Sequence, residues 1–277
     1  MTRLCILAPS TEWDALAVEE IADMRRLFPD AMFRNWHEAG NLSGFDVVTP
    51  LLAWGYHRET DGWSAVLDRC EAESINLINP APLLRWNSDK AYLFDLEAAG
   101  VVIVPTIACR ALDANALADA ATRFKTSDLI VKPARSAGSD RTYRLSLSDP
   151  IPADVAQLPM LIQPTMPGIA NGELSLLFFG GRFSHAIVKR APSGEFRVQP
   201  QFGGSVHAID PPASAMRLAE AALAACPVSP AYARVDMVSD GDGFALMEIE
   251  LIEPSLFLQH APDGGAMLVA ALTNQRA

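Results

Sequence analysis

Short apolar runs alternate with amphipathic stretches in the first part of the chain. Residues 11–27 and 63–70 have the apolar spacing of helices. Three apolar runs have the length of buried strands: Leu4–Ala8, Phe45–Thr49 and Ile75–Ile78. Strands that alternate with helices are typical of an α/β lobe with a largely parallel sheet. We therefore predict an N-terminal α/β domain over residues 1–85.

The next stretch of chain carries clear helix boundaries. Asn87 or Ser88 is a good N-cap, Gly100 suits the position after the last turn, and Asp113 would cap a second helix. The predicted helices are 88–99 and Ala114–Phe124, and the predicted strands are Val101–Val104, Leu129–Lys132 and Leu161–Gln163. We assign residues 86–163 to a central domain.

From Glu173 onward the pattern changes to antiparallel hairpins. The first turns at Gly180-Gly181, a dipeptide that tolerates positive φ, and the second turns within residues 240–243. The predicted strands are Leu174–Phe179, Phe183–Lys189, Tyr232–Val238 and Phe244–Glu250, with a helix over Ala213–Ala225 and another near the end. This pattern predicts a C-terminal α+β domain over residues 164–277, and three lobes in all.

Composition narrows the classes of function. The 277 residues carry a net charge of −11, which disfavours a nucleic-acid partner because phosphate backbones need a basic face. No uncharged apolar run is long enough to cross a bilayer, and the N-terminal run predicts a strand rather than a targeting segment. The four cysteines are dispersed, without a CxxC pair. These features favour a cytoplasmic protein and argue against structural zinc, disulfides or a membrane partner.

The second predicted hairpin concentrates acidic side chains. Asp236 lies on one strand, Glu248 and Glu250 lie on its partner, and Arg234 shares a face with Asp236. Folding about the turn places Asp236 within about one register step of Glu248. Such hard oxygen ligands suit Mg²⁺. The alternative is a solvated edge hairpin, although the intervening residues are apolar enough to bury one face.

Cations occur at three further places. Lys132 ends a predicted strand and precedes a small, flexible loop, which can present backbone N–H groups to phosphate; a simple polar turn is the alternative. Lys90 lies in the first turn of its predicted helix, where the macrodipole disfavours a cation by only tenths of a kcal/mol; it is either an ordinary solvated lysine or one retained for an anionic ligand. Arg197 precedes Gly203-Gly204 and could equally belong to a surface strand. Neither a Walker A loop nor a GxGxxG motif is present.

The order of these features resembles the ATP-grasp superfamily. The segments that carry the resemblance are NPAPLLRWNSDKAYLFDLEAAGVVIVPT, LIVKPARSAGS, GELSLLFFGGRFSHAIVKR, EFRVQPQFGG and YARVDMV through ALMEIELIEPSLFL. They cover most of residues 79–258, and the chain is most similar to the glutathione synthetase/RimK-like branch and, within it, to cyclo-ligases that form cycloserine from O-ureido-serine. The resemblance implies an ATP-grasp fold of three lobes, with ATP held between two α+β lobes.

The resemblance also implies roles for individual residues. Arg197 and Arg234 would lie near the γ-phosphate and the acyl phosphate. The residues that would contact ATP are Lys90 and Lys132, the lid residues Ser136, Gly138 and Ser139, and the adenine hinge of Gln163, Pro164, Thr165 and Met166. The residues that would hold Mg²⁺, or Mn²⁺ in its place, are Asp236, Glu248 and Glu250.

Two departures from the family concern the metal and the substrate. The last metal ligand is commonly Asn, whereas Glu250 stands there in this chain, as in cyclo-ligase-like members. Those relatives tend to carry Arg-Ser-x-Trp-Asp-Tyr in the first lobe, where this chain has Leu51-Leu52-Ala53-Trp54-Gly55-Tyr56. If that loop contacts substrate, the substrate differs from that of the cyclo-ligase.

The resemblance implies an ATP-dependent carboxylate–amine ligase that releases ADP and phosphate. The expected partners are a small-molecule carboxylate and an amine, joined between two molecules or within one, and a homodimer is left open. Two alternatives keep the fold: a nucleotide-binding regulator without turnover, and a phosphotransferase that stops at a phosphorylated product.

Overall fold

The computed structural model describes residues 2–9, 18–192, 197–198 and 203–273. Its helices are α1 Val18–Leu27, α2 Thr60–Ala72, α3 Ala81–Asn87, α4 Tyr92–Ala98, α5 Ala114–Phe124, α6 Ala213–Ala224 and α7 Ala266–Thr273. Its strands are β1 Leu4–Ala8, β2 Met32–Asn35, β3 Val47–Thr49, β4 Ile107–Cys109, β5 Leu129–Lys132, β6 Tyr143–Leu145, β7 Met160–Pro164, β8 Glu173–Phe179, β9 Arg182–Arg190, β10 Ser205–Ala208, β11 Tyr232–Asp240 and β12 Gly243–Glu250. None of these helices is long and apolar enough to cross a membrane.

The first sheet is parallel, as the alternating pattern predicts. Its order is β2-β1-β3, with β1 in the centre. One core beside this sheet contains Trp36 and Trp63, whose rings meet edge to face at 5.9 Å. A second core joins Leu4 and Ile6 of β1 to Phe179 and Tyr232 of the third sheet. The first lobe is thereby packed directly on the third.

The second sheet is small and antiparallel, in the order β4-β7-β5-β6. Helix α5 covers it and begins as predicted, since the Asp113 side chain accepts a hydrogen bond from the Ala116 N–H at 2.8 Å. Strand β4 is an addition to the predicted elements. Because β5 and β7 are antiparallel, Lys132 at the end of β5 lies opposite Leu161, whereas Pro164 at the end of β7 lies opposite Leu129.

The third sheet has five antiparallel strands in the order β10-β9-β8-β11-β12. Both predicted hairpins are confirmed, with Gly180 and Gly181 at positive φ in the first turn. One face of the sheet carries Val235, Met237 and Ile249 into the largest core, against α6. The other face contributes Phe179 and Tyr232 to the second core at one end and carries charged side chains, including Arg234 and Asp236, beyond them.

Several predicted elements are wrong in detail. The segments Ile75–Ile78 and Val101–Val104 form only isolated bridges, Leu77 with Val48 and Ile103 with Leu246. The helix predicted from Asn87 or Ser88 begins at Tyr92 instead, because α3 ends at Asn87 and Lys90 lies in the turn between the two helices. The predicted helix 11–27 is described only from Val18 onward.

Asn87 has a different structural role from the predicted cap. Its side chain donates to the Ile249 carbonyl at 2.8 Å and accepts from the Leu251 N–H at 2.9 Å. The Tyr92 hydroxyl accepts from the Ile249 N–H at 2.9 Å and lies 3.1 Å from its carbonyl. Strand β12 is at an edge of its sheet, so these side chains satisfy backbone groups that no further strand pairs. They also fix the strand that carries Glu248 and Glu250.

The sheets follow the three predicted lobes in chain order. Buried residues of α4, including Leu93 and Leu96, nevertheless belong to the core of the third sheet. The domain boundaries at 85/86 and 163/164 therefore stay predictions.

Candidate active site

Four charged residues share one face of the β11–β12 hairpin. In the strand register Asp236 lies opposite Glu248, and Arg234 lies opposite Glu250. On the other side of β11, Asp236 faces Ser175 of β8. Because directly paired residues point to the same face, the alternation sends Arg234, Asp236, Glu248 and Glu250 to the side opposite the apolar core. The expected position of Asp236 within about one register step of Glu248 is confirmed, and a β-bulge between Asp236 and Met237 brings the two directly opposite each other.

Asp236 is fully enclosed by donors. Its carboxylate accepts hydrogen bonds from Ser175 Oγ, from Arg234 Nη2 at 2.8 Å and from Lys189 Nζ at 3.4 Å. Burial alone would raise the pKa of this carboxyl, but Arg234 and Lys189 outweigh that effect and lower the pKa to about 2. Asp236 is therefore ionised at neutral pH and anchors the cations around it.

Two further carboxylates lie beside Asp236. Oxygen atoms of Asp236, Glu248 and Glu250 all lie within 4.8 Å of one another. Burial and the neighbouring Glu248 raise the pKa of Glu250 to about 7, although Arg234, bonded to Glu250, opposes this shift. A divalent cation would relieve this crowding of negative charge, and the hard oxygen donors fit Mg²⁺.

Lys90 connects the carboxylates to the loop after β5. Its Nζ lies 3.4 Å from Glu248 Oε2 and donates to the Ser136 carbonyl at 2.6 Å. Its backbone N–H donates to the Ala134 carbonyl at 2.7 Å. Since Lys90 precedes α4, it does not lie in the helical turn where the sequence placed it, and the cost from the macrodipole does not arise.

Lys132 projects from the end of β5 and is 9% exposed. Burial lowers its pKa to about 8, with Lys90 acting in the same direction and Glu248 against it. An anionic ligand nearby would stabilise its charged form.

The predicted hinge follows β7. Gln163 is buried and donates through Nε2 to Thr106 Oγ1 at 2.8 Å. The Thr165 N–H is already bonded to the Asp128 carbonyl at 2.9 Å. Within the described residues the Met166 N–H donates no hydrogen bond, and Met166 lines the cleft. Met166 thus offers a backbone donor to a planar heterocycle.

The loop at residues 134–139, here called the lid loop, lines the cleft with Ser136, Gly138 and Ser139. Gly138 and Ser139 have positive φ values of 59° and 63°, and Ser136 is buried. Just beyond the loop, Asp140 lies 3.6 Å from His57 Nε2 and 3.4 Å from Arg58 Nε. The lid loop is thereby linked to the first lobe.

A single cleft of about 960 Å³ lies between these elements. Every predicted site residue lines it except Asp236, which is buried behind Arg234 and the other acidic groups. Arg197 lies on its wall, whereas the adjoining Glu195 and Phe196 lie outside the described residues. The volume is within the usual range for small-molecule sites.

Two cleft features were missed from the sequence. Glu173 and Lys189 pair across β8 and β9, form an ion pair and line the cleft beside Asp236. A β-bulge between Leu177 and Phe178 creates this pair, because the turn and the strand alternation alone would have placed Val188 opposite Glu173. Glu253 and Trp54 also line the cleft, and the Trp54 Nε1–H donates to the Glu253 carbonyl at 3.2 Å. That contact joins residues 199 positions apart, so no local pattern signals it.

The sequence and the fold were compared with known proteins. No family model matches the chain. The chain is 32% identical to the cycloserine biosynthesis protein DcsG of Streptomyces lavendulae over an alignment of 256 residues, with 84% of each protein covered. It also matches the crystal structure of the D-cycloserine synthetase DcsG at a TM-score of 0.83 and 29% identity, over 98% of both chains.

More distant structures share the fold. D-alanine–D-alanine ligase from Bacillus anthracis, complexed with ATP, matches at a TM-score of 0.70 and 15% identity, over 99% of this chain and 96% of the ligase. The ATP-grasp ligase PsnB, in a complex with Mg and ADP, matches at a TM-score of 0.64 and 16% identity, over 98% of this chain and 99% of PsnB. The sheets and cleft described above are therefore those of an ATP-grasp fold.

Proposed function

The chain belongs to the ATP-grasp ligases related to DcsG, and we propose that it activates a small-molecule carboxylate as an acyl phosphate before joining it to an amine. As a member of this family it is an ATP-dependent ligase that forms carbon–nitrogen bonds. One observation carries the proposal. The carboxylates of Asp236, Glu248 and Glu250 lie within 4.8 Å of one another in a cleft that also receives Lys90 and Lys132.

The cations are placed to bind phosphate groups. Lys132 and Lys90 would contact the phosphates of ATP, while the Met166 N–H would bind adenine at the hinge. Ser136, Gly138 and Ser139 would close over the phosphates with the lid loop. Closure matters because an acyl phosphate hydrolyses when water reaches it.

Glu248 and Glu250, supported by Asp236, would hold Mg²⁺. The ion would neutralise charge on the phosphates during transfer. Mn²⁺ has the same preference for oxygen ligands and would bind the same residues.

The chemistry needs positioning and charge neutralisation rather than a side-chain nucleophile. A carboxylate oxygen of the substrate attacks the γ-phosphorus, the bond to the bridging oxygen of ADP breaks, and ADP leaves. The amine nitrogen then attacks the acyl carbon, phosphate departs with the original carboxylate oxygen, and the amine proton passes to phosphate or solvent. Arg197 and Arg234 would stabilise the negative charge that develops in both steps.

The products test this proposal. Turnover should release ADP and inorganic phosphate, and ¹⁸O in the substrate carboxylate should appear in that phosphate. Hydroxylamine should trap the activated acid as a hydroxamate. Release of AMP and pyrophosphate would refute the proposal, and a phosphorylated final product would indicate a phosphotransferase instead.

A further inference from the structure

An ion pair between Arg58 and Asp140, here called the latch pair, joins the end of the lid loop to the first lobe. Asp140 directly follows the lid loop, and Arg58 lies just before α2, 82 positions earlier in the chain. Arg58 Nε lies 3.4 Å from Asp140 Oδ2, and Arg58 Nη2 lies 3.4 Å from Asp140 Oδ1. Each nitrogen thus meets its own carboxylate oxygen, which is the bidentate arrangement that a guanidinium makes with a carboxylate.

The first-lobe side of the latch pair has a fixed backbone. The Arg58 N–H donates to the Gly55 carbonyl at 2.9 Å, in a turn that leads into α2. The neighbouring His57 is buried, and its ring meets the ring of Tyr56 edge to face at 5.8 Å. His57 Nε2 lies 3.6 Å from Asp140 Oδ2, so the Asp140 carboxylate reaches the core of this lobe. The latch pair therefore rests on well-packed residues.

The lid side of the latch pair is a strained turn. Gly138, Ser139 and Arg141 all have positive φ values, of 59°, 63° and 50°. Ser139 and Arg141 are not glycines, and residues with a side chain rarely adopt this conformation because it costs energy. The Asp140 N–H closes the turn by donating to the Ala137 carbonyl at 3.0 Å. Contacts outside the turn must offset the strain, and the latch pair is one of them.

The start of the lid loop is held by a different part of the protein. Lys90 donates to the Ala134 carbonyl through its backbone N–H and to the Ser136 carbonyl through Nζ. Arg135 Nε lies 3.2 Å from Asp89 Oδ2. These contacts tie the start of the loop to the turn between α3 and α4. The latch pair, whose two residues both line the cleft, ties its end to the first lobe.

The latch pair is partly exposed. The side chain of Arg58 is 53% exposed and that of Asp140 is 25% exposed. Ion pairs of this kind contribute little to the stability of a fold, because water solvates both charges when they separate. A contact that breaks at little cost suits a loop that has to open for ATP to enter and for ADP to leave. Loss of the latch pair should therefore affect the position of the lid loop more than the stability of the protein.

We propose that Asp140 is a positioning residue, whose pair with Arg58 fastens the lid loop to the first lobe and thereby retains nucleotide in the cleft. The inference rests on the proposed function, because it takes Ser136, Gly138 and Ser139 to close over the phosphates of ATP. Asp140 acts through the lid loop and takes no part in phosphoryl transfer. Opening of the latch pair accordingly precedes the release of ADP.

The rate of nucleotide release tests the proposal. Asp140→Asn removes the charge of the side chain and keeps its shape. In stopped-flow measurements with a fluorescent ATP analogue and Mg²⁺, this variant should release the analogue at least about threefold faster than the wild type, which is the range that an exposed ion pair provides. The association rate should change little, since contact losses act mainly on dissociation. Hydrogen exchange of residues 134–139 in the complex should become faster, and Tm should stay unchanged.

Further variants separate the latch pair from other effects. Arg58→Gln should speed release as Asp140→Asn does, and the double variant should release no faster than the faster of the two, because both exchanges remove the same contact. Asp140→Glu, which keeps the charge, should restore most of the retention. The controls Asp119→Asn and Arg123→Gln change exposed residues of α5 and should behave as the wild type.

Two outcomes would overturn the role of Asp140 and leave the proposed ATP site intact. One is wild-type release together with wild-type exchange of the lid loop in Asp140→Asn. The other is a lowered Tm with unchanged exchange of the lid loop, which is the effect of a purely structural residue. A wild-type protein that does not bind the analogue would instead refute the proposed nucleotide site, and the role of Asp140 with it.

Discussion

Asp236 and Glu248 lie directly opposite each other on β11 and β12, yet their environments differ. Asp236 has no exposed surface and accepts hydrogen bonds from Ser175, Lys189 and Arg234. The Glu248 side chain is 25% exposed, lines the cleft and faces only Lys90 at ion-pair distance within the described residues. Neutralising one carboxylate should therefore affect the activity and stability of the protein differently from neutralising the other.

Glu248→Gln should retain the fold and lose activity. The exchange removes a charge that would hold Mg²⁺ but breaks only a partly exposed contact with Lys90. We expect kcat to fall by at least about 100-fold at ordinary Mg²⁺ concentrations, with little change in Tm. Steady-state ADP release and thermal unfolding measure the two effects. Wild-type turnover would remove Glu248 from the metal site.

Asp236→Asn should reduce stability as well as activity. The exchange removes the anion that Arg234 and Lys189 share and leaves these buried cations with only Glu250 and Glu173 as partners, and a buried charge that loses a partner is costly. The free energy of unfolding should fall by on the order of 3 kcal/mol, measured by urea denaturation. The matched control Asp242→Asn, at the exposed tip of the same hairpin, should unfold as wild type. Equal stability of the two variants would contradict the anchoring role.

Lys132→Ala should weaken ATP binding by about 1.5–3 kcal/mol, the usual strength of a charge-assisted hydrogen bond. Calorimetric titration with a non-hydrolysable ATP analogue measures the loss. Lys125→Ala, at an exposed position after α5, serves as the control. If both variants bind the analogue as tightly as wild type, Lys132 does not contact the phosphates.

The hairpins could be predicted because their signals are local. Alternating apolar residues and a Gly-containing turn define the β11–β12 hairpin and bring Asp236 within one register step of Glu248. Counting from the turn alone would place Asp236 opposite Met247, and a β-bulge between Asp236 and Met237 moves it opposite Glu248. A second bulge, between Leu177 and Phe178, likewise places Glu173 opposite Lys189 rather than Val188, so the hairpin pattern alone did not reveal that pair. Lys132 was identifiable because it ends a short apolar strand.

Long-range pairing explains what local patterns did not reveal. Asparagine is a residue type favoured at helix caps, but the amide of Asn87 binds backbone groups of residues more than 160 positions away. The stabilisation that an asparagine provides as a helix cap is smaller than the cost of leaving the backbone groups at the edge of β12 without hydrogen-bond partners. Glu253 likewise gains its position from Trp54 in another lobe, a contact that only the folded chain creates.

The lid loop should become protected from hydrogen exchange when nucleotide binds. Residues 134–139 are mostly small and include Gly138, and their contacts outside the loop include the Arg135–Asp89 ion pair and the two carbonyls bonded to Lys90. Exchange measured with and without a non-hydrolysable ATP analogue and Mg²⁺ should slow in this loop. The turn at Gly180-Gly181 lies outside the cleft and should exchange at the same rate in both states. Equal protection of the loop in both states would contradict a closing role.

His57 should make the protein less stable in mild acid. Its ring is buried in the first lobe, and burial lowers its pKa from 6.5 to about 4, although Asp140 acts in the opposite direction. Between these two values the unfolded chain binds a proton that the folded chain does not. The contribution of His57 to the free energy of unfolding is therefore fully present above pH 6.5 and is lost as the pH falls towards 4.

The size of this loss follows from the difference between the two pKa values. It amounts to about 3 kcal/mol when complete, and urea denaturation at a series of pH values measures it. His57→Gln should flatten the stability profile between pH 4 and 6.5. His207→Gln, on the exposed edge strand β10, should keep the wild-type slope because that ring is already in solvent. If the His57 variant retains the full slope, another group causes the acid sensitivity and His57 is protonated in the folded protein.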